Sequence, residues 1–194
     1  MPLLLRGLIL TSFLASGSGL APEESLMLAD FSESPPSLAW RVVNDSVMGG
    51  RSEGDFQLED RSLVFSGRTN TDGGGFSSIR SETRRFDLEA FDGIRLRVRG
   101  DGRRYTFRLT TWDARGERRR PSYWAHFETG GNGWEVIDVP FRRFRPRWRG
   151  RWLEGPEFDS RAVDSLGLMI YDGQDGPFRL QVGWIRAYRE RETL

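Results

Sequence analysis

The chain has 194 residues and a net charge of +1, because 29 arginines nearly balance 28 acidic residues and no lysine is present. It holds no cysteine and one histidine, which excludes disulfides, thiolate metal sites, Schiff-base catalysis and lysine-containing phosphate loops. Near-neutral charge gives no general attraction to nucleic acids or membrane surfaces, and the 13 Phe and 7 Trp can build the core of one domain.

Residues 1–21 have the pattern of a secretory signal peptide. Arg6 precedes a short apolar stretch, and two possible cleavage sites follow, at 15–17 and 19–21. A transmembrane helix needs about 20 mainly apolar residues, more than this stretch provides. The sequence therefore predicts export, to the periplasm or as a secreted protein, with residues 22–194 forming one mature domain that has no membrane span. Without cleavage, the chain would be cytoplasmic or membrane-associated.

The dominant hydrophobic period after residue 22 is two, which predicts β-strands. The alternating runs lie at 63–67, 94–98, 105–109, 123–127, 134–139 and 178–185. A further run at 166–171 is apolar on both faces, as expected of a central strand. Glycine-containing turn signals separate these runs, and no long amphipathic helix pattern occurs, so the sequence predicts an all-β sandwich or barrel.

Arginine and aromatic residues alternate within 140–158, the longest segment without a strand pattern. Residues 141–152 hold six Arg, two Phe and two Trp, which favours cation–π contacts inside one loop. Single-stranded nucleic acid binding uses the same residue types, but the neutral net charge disfavours nucleic acid, and a protein or acidic partner fits better. Residues 115–120 are expected to form a solvated hairpin tip.

Two glycine-rich segments are the candidate binding loops: NDSVMGG at 44–50 and GGFSSIR at 74–80. Backbone donors of the first segment could cradle an anion, but a tight strand connection capped by Asp45 is favoured. The second segment follows an earlier glycine, Gly73, yet lacks the helix and the lysine of a phosphate loop. Close approach of the backbone beside a strand is the favoured interpretation.

Few residues of the sequence are candidates for catalysis. His126 lies on a predicted strand, on the face opposite Tyr123, Ala125 and Phe127, and a lone strand histidine is more often structural than catalytic. A Ser–His–Asp site would have to use it, and no GxSxG motif is present. A carboxylate pair for glycoside hydrolysis stays open, although nothing marks one. We predict no catalytic residue, no cofactor and no metal ligand set.

The two glycine-rich segments, in this order, resemble the complex I intermediate-associated protein family. The similarity continues through 92–109, 123–127, 134–146 and 166–185, and so covers nearly all of 28–188. The resemblance implies a galactose-binding-like jelly-roll sandwich without enzymatic activity. Mitochondrial members of the family are assembly chaperones for the respiratory NADH:ubiquinone oxidoreductase. This chain differs from them in its signal-like start, which replaces an Arg- and Ser-rich transit peptide.

The resemblance marks one loop surface as the candidate site, in turn-forming or partner-facing roles: Asn44, Asp45, Met48, Gly49, Gly50, Gly74, Gly75, Phe76 and Arg80. The leading interpretation is a non-enzymatic assembly or chaperone-like factor whose partners are proteins, with subunits of membrane complexes as candidates. The alternative is a carbohydrate-binding module of an exported protein. In that case Trp112, Trp124 or Trp148 would stack on sugar rings.

Overall fold

The chain folds into two antiparallel β-sheets, as a computed structural model shows. The structure describes residues 24–33, 35–112, 121–131 and 133–190. Its strands are β1 (Ser25–Asp30), β2 (Trp40–Asn44), β3 (Glu53–Glu59), β4 (Ser62–Thr69), β5 (Ser77–Ser81), β6 (Gly93–Arg99), β7 (Arg104–Thr111), β8 (Ser122–Glu128), β9 (Glu135–Pro140), β10 (Arg145–Trp148), β11 (Arg151–Trp152), β12 (Val163–Ile170) and β13 (Gly176–Tyr188). Within these ranges the only helical elements are short 3-10 turns, at Asp45–Met48, Phe141–Arg143 and Ser160–Ala162. No helix there has the length and apolar character needed to cross a membrane.

Non-consecutive strands are neighbours in both sheets. The six-stranded sheet has the order β3-β4-β13-β6-β9, with β1 beside β13. The seven-stranded sheet has the order β11-β10-β8-β7-β12-β5-β2. The chain therefore passes repeatedly from one sheet to the other, and residues from both inner faces form one core.

The six strands predicted from period-two patterning are present as β4, β6, β7, β8, β9 and β13, and the run that is apolar on both faces is β12. β6 shows why the pattern works: Ile94, Leu96 and Val98 are fully buried, while the arginines between them face outward. β8 likewise buries Tyr123, Ala125 and Phe127 in the core and turns His126 to the opposite face. The all-β prediction is confirmed.

The segment 140–158 is not irregular throughout, contrary to the expectation. It contains β10 and β11 at the edge of the seven-stranded sheet, where Arg145 pairs with Trp124 of β8. These edge strands carry Arg, Pro and Trp, so they lack the alternating apolar residues that reveal a half-buried strand. β5 was missed for another reason: its buried positions include Ser77, Ser78 and Ser81.

Two predictions fall on residues that the structure does not describe. The signal peptide at 1–21 and the hairpin tip at 115–120 lie outside the described ranges. The extent of the mature domain, 22–194, also stays a prediction.

A buried ion pair holds the turn between β12 and β13. The guanidinium of Arg103 donates to both carboxylate oxygens of Asp172, at 2.9 and 2.6 Å. The Asp172 side chain is 1% exposed. Arg103 also donates to the carbonyl of Gln174 at 2.8 Å and to that of Pro177 at 2.9 Å. One side chain on the β6–β7 connection therefore fixes a turn about 70 residues further along the chain.

Candidate functional site

Asp45 joins the two glycine-rich segments. Its side chain is fully buried at the end of β2. One carboxylate oxygen accepts the backbone N–H of Ser52 at 2.8 Å. The other accepts those of Gly75 at 2.6 Å and Phe76 at 3.2 Å. The segments do cradle an anion, but that anion is the carboxylate of Asp45 itself, so these donors do not face an external ligand.

The hydrogen bonds decide the ionisation of Asp45. Burial raises the pKa of this carboxyl, but the hydrogen bonds from Ser52, Gly75 and Phe76 outweigh burial and lower the pKa below the ordinary value of 3.8. Asp45 is therefore charged at neutral pH, and its charge is satisfied from within the fold.

Two glycines make room for this carboxylate. A β-carbon on Gly50 would lie 2.3 Å from Asp45 Cγ, and one on Gly74 would lie 2.4 Å from Asp45 Oδ2. Gly49 and Gly75 instead have φ angles of +87° and +109°, which L side chains rarely adopt. The glycines of both segments are thus required by one buried side chain and the turns around it.

We expect Gly50→Ala to lower the free energy of unfolding by about 1–3 kcal/mol, because the new methyl group overlaps a buried carboxylate. Urea unfolding followed by tryptophan fluorescence measures this change. Gly130→Ala is the matched control, since its β-carbon would meet no heavy atom closer than 3.6 Å. Equal stability losses in the two variants would show that the space beside Asp45 is not required.

Asn44 is also structural. Its side-chain amide donates to the carbonyl of Gly54 at 3.1 Å, and its carbonyl oxygen accepts the hydroxyl of Ser77 at 2.6 Å. These bonds tie the end of β2 to β3 and β5. Of the nine predicted site residues, the structure therefore gives turn-forming roles to six: Asn44, Asp45, Gly49, Gly50, Gly74 and Gly75.

The other three predicted residues, Met48, Phe76 and Arg80, line a groove on the outer face of the seven-stranded sheet. Its cavity measures about 360 Å³. Phe76, Trp124, Met169 and Tyr171 form its floor as a hydrophobic cluster separate from the core. We call this cavity the aromatic groove. Clefts lined mainly by apolar and aromatic side chains, with a few polar groups, are the usual form of ligand-binding sites.

Arg147 covers one side of the aromatic groove. Its guanidinium carbon lies over the rings of Trp124 at 4.3 Å, Trp152 at 4.8 Å and Tyr171 at 5.1 Å. The predicted cation–π contacts therefore exist. The contact with Trp152 lies within the one segment, as expected, whereas the contacts with Trp124 and Tyr171 join β10 to β8 and to the end of β12.

Sequence reasoning missed Met169 and Tyr171 as groove residues. The signal was present, because the run at 166–171 is apolar on both faces. That pattern predicts a strand in the interior of a sheet, which β12 is. Its inward residues, such as Leu168, enter the core, and its outward residues form the floor of the groove.

A polar cavity of about 220 Å³ adjoins the aromatic groove. Arg80, Arg108 and Thr110 line both cavities, so one continuous surface changes from aromatic to cationic character along the sheet. Arg41, at the edge of the polar cavity, adds a third positive charge.

His126 has a structural environment. Its Nδ1 lies 2.8 Å from the hydroxyl of Thr106, and its ring packs edge-on against Trp152. Burial, followed by the charges of Arg104 and Arg147, lowers the pKa of His126 below 6.5. Among the described residues, no group of three His, Asp or Glu side chains is placed to hold a metal ion.

The three tryptophans considered for sugar stacking differ in access. The guanidinium of Arg85 lies 4.3 Å from the ring centroid of Trp112, and that of Arg147 equally covers Trp124. Trp148 has a looser contact with Arg149, at 5.8 Å. Trp124 is buried, whereas Trp112 and Trp148 are half-buried, and of these two Trp148 has the longer cation contact.

The two sheets and their strand order define a jelly-roll sandwich with a groove on one outer face. The fold is similar to the family 11 carbohydrate-binding module of a Clostridium thermocellum cellulosomal cellulase, with a TM-score of 0.63 and 17% identity over 88% of this chain and 99% of the module. An agarase is similar with a TM-score of 0.56 and 15% identity, over 86% of this chain and 25% of the enzyme. At these identities the likeness shows the jelly-roll fold alone.

The chain belongs to the family described as complex I intermediate-associated protein 30, whose profile matches residues 29–182. The mitochondrial member from Mus musculus is 27% identical over 87% of this chain and 57% of its own length. An uncharacterised Schizosaccharomyces pombe protein is 31% identical, over 76% of this chain and 77% of its own length. The mitochondrial Drosophila melanogaster member is 25% identical, over 84% of this chain and 63% of its own length. The chain thus spans little more than half of the mouse relative.

Proposed function

We propose that the chain is a non-enzymatic binding module that holds proteins during the assembly of a larger complex, and that the aromatic groove is its contact surface. The observation that carries the proposal is that residues from both family segments line the groove. Met48 comes from the first family segment, and Phe76 and Arg80 come from the second. The two segments that mark the family in sequence therefore both contribute side chains to the aromatic groove.

Exposed apolar residues extend this surface beyond the groove. Val47 and Met48 are 71% and 66% exposed in the short turn next to Asp45. Apolar side chains held in solvent by a rigid turn are a usual feature of protein contact sites. The hydrogen bonds of Asp45 hold that turn against the second segment, so the contact surface is preorganised.

The names of the relatives supply the class of partner. The mouse and fly proteins are named for association with complex I intermediates. By this relationship, the partners of the present chain are subunits of a membrane-bound complex in partly assembled form. The chaperone-like character follows from the same relationship and from the exposed apolar turn.

The absence of catalysis is part of the proposal. The single histidine contacts Thr106 and Trp152 and is not among the residues that line the aromatic groove. The ionisable residues that line the groove are Arg80, Arg108, Arg147, Arg149 and Tyr171. An arginine-lined aromatic groove suits recognition, whereas general acid–base catalysis needs a group that titrates near the working pH.

The compartment decides which intermediates the chain can reach. The relatives are mitochondrial by name, whereas residues 1–21 of this chain predict export. Amino-terminal sequencing of the mature protein tests whether that segment is removed, because an uncleaved chain begins at Met1 or Pro2, and cell fractionation then identifies the compartment.

We expect Met48→Ala together with Trp148→Ala to reduce the capture of partner proteins from the native membrane fraction by about tenfold, since aromatic and apolar anchors dominate interface energies. Trp134→Ala is the matched control, because Trp134 is 40% exposed and lies outside the groove. Quantitative mass spectrometry after chemical cross-linking measures the capture.

Two results would contradict this proposal. The first is the recovery of no protein partner by the unmodified chain. The second is equal recovery by the groove variant and by Trp134→Ala. Oligosaccharide binding on a glycan array that is lost with Trp148→Ala would instead favour the carbohydrate-binding alternative.

A further inference from the structure

A row of arginines crosses the outer face of the seven-stranded sheet. The strand register pairs Arg41 with Arg80, Arg80 with Gly167, and Gly167 with Arg108. Directly paired residues point to the same face of a sheet. A β-carbon on Gly167 would lie 3.4 Å from Cβ of Arg108 and 3.7 Å from Cγ of Arg80. Two arginine side chains therefore stand on either side of a position that has no side chain.

The positive charge at this position is balanced only in part by carboxylates of the same cavity, those of Glu82 and Asp164. Neither Arg80 nor Arg108 forms an ion pair with a described residue, and the buried Nε atom of each has no hydrogen-bond partner there. Burial, followed by the charges of Arg80 and Arg41, lowers the pKa of Arg108 to about 9. The guanidinium of Arg108 also lies over the ring of Trp124, at 5.4 Å, but this contact does not cancel its charge. Because buried cations are normally paired with anions, the two adjacent arginines indicate an external anion.

We infer that Arg80 and Arg108 bind a carboxylate of the partner protein while the aromatic groove holds an apolar side chain of the same segment. The inference rests on the proposed function, because it names the chemistry of the partner at the same site. The two cavities share Arg80, Arg108 and Thr110, so one bound segment reaches both.

The charges around the polar cavity favour a monovalent anion. Glu82 and Asp164 line this cavity together with the three arginines. Their carboxylates accept hydrogen bonds from the backbone of Ala39 and from the hydroxyl of Thr110. These five charged groups leave a net charge of +1, which matches one carboxylate better than a phosphate dianion. Arginine also binds carboxylates through two parallel hydrogen bonds.

The strand register gives the spacing of the two anchors. Trp124, on the groove floor, is the direct partner of Arg108, and neighbouring strands lie about 5 Å apart. An extended peptide advances about 3.3 Å per residue and turns alternate residues to one side. The fitting segment therefore carries an apolar residue and an acidic residue two positions apart.

The test uses the full chain and labelled synthetic peptides. One peptide carries a Phe two residues before a Glu in a Gly–Ser background, and its partner carries Gln in place of Glu. A phosphoserine peptide and inorganic phosphate as competitor test the other anion. Fluorescence anisotropy at low salt measures binding, because exposed charge contacts weaken as salt is added.

We expect the Glu peptide to bind about tenfold tighter than the Gln peptide, because hydrogen bonds to charged groups are the stronger ones. Arg80→Gln and Arg108→Gln should each bind the two peptides equally, with a melting temperature no lower than that of the unmodified chain, since like charges are removed. Arg97→Gln, in which an arginine stacked on Trp134 of the other sheet is changed, should keep the preference.

Three results would overturn the inference: equal binding of the Glu and Gln peptides by the unmodified chain, tighter binding of phosphoserine or phosphate than of the Glu peptide, or loss of the preference in Arg97→Gln. Failure of the carboxylate site can be distinguished from failure of the proposed function. Partner capture that depends on Met48 and Trp148 but not on Arg80 would leave the binding module in place and remove only the carboxylate site.

Discussion

Replacing Asp45 by alanine is expected to lower the free energy of unfolding by about 3–5 kcal/mol, the largest loss that we predict from a single residue of the candidate site. The change removes a buried carboxylate that accepts backbone N–H groups of Ser52, Gly75 and Phe76. Those donors would stay buried without a partner, and each unsatisfied donor costs about 1–3 kcal/mol. Urea unfolding of the purified chain measures the loss.

Asp45→Asn separates charge from shape. The amide keeps the volume of the carboxylate but places an N–H group against backbone donors, so we expect an intermediate loss of about 1.5–3 kcal/mol. The pH dependence gives a second readout. Asp45 has a lowered pKa in the folded chain, so its contribution is complete above the unfolded pKa of about 3.9 and is lost as the pH falls through the folded value.

The unmodified chain should therefore lose more stability between pH 4 and lower pH than Asp45→Asn does. Parallel pH profiles of the two proteins would contradict the assignment of Asp45 as a charged, satisfied anchor. An alanine variant as stable as the unmodified chain would contradict the role of this residue as the link between the two segments.

Arg103→Ala is the second variant with a large expected effect. It leaves Asp172 buried without its counter-charge and releases the carbonyls of Gln174 and Pro177. Breaking a buried pair by removing one partner costs about 3–5 kcal/mol. Thermal unfolding followed by circular dichroism measures the shift, and Arg103→Lys should recover part of the loss, because lysine restores the charge but not the forked geometry.

Arg142→Ala is the control for a surface ion pair. Arg142 and Glu190 are 72% and 55% exposed in their pair, and exposed pairs add little stability. We expect this variant to unfold almost as the unmodified chain does. A loss in Arg142→Ala as large as that in Arg103→Ala would show that burial of the Arg103–Asp172 pair does not matter.

Local patterning was sufficient for most of the fold. Strand β6 was evident because Ile94, Leu96 and Val98 alternate with arginines and each faces the core. Patterning failed at β5, where the buried positions include Ser77 and Ser78, and at β10, the strand next to edge strand β11, which consists of Arg, Pro and Trp. In neither strand do alternating hydrophobic side chains mark the positions that face the protein, so the pattern does not predict the strand.

The candidate site was predictable in its location but only partly in its roles. The family segments pointed to Asp45 and the glycines, yet only the fold shows that Gly50 and Gly74 surround the Asp45 carboxylate. Pairs that are distant in sequence were beyond reach. Arg103 and Asp172 are 69 residues apart, and Arg80 meets Arg108 only through the strand between them. Such contacts depend on strand order, which no local pattern encodes.

Site-specific photo-cross-linking in the native cell tests the central claim, that the aromatic groove is the contact surface for a protein partner. A photoreactive amino acid is placed at Met48 or at Trp148 of the groove, and at Val136 of the other sheet as the control, since Val136 is 57% exposed. We predict covalent products with one defined protein from both groove positions and none from Val136. Products from Val136 alone, or from no position, would contradict the account.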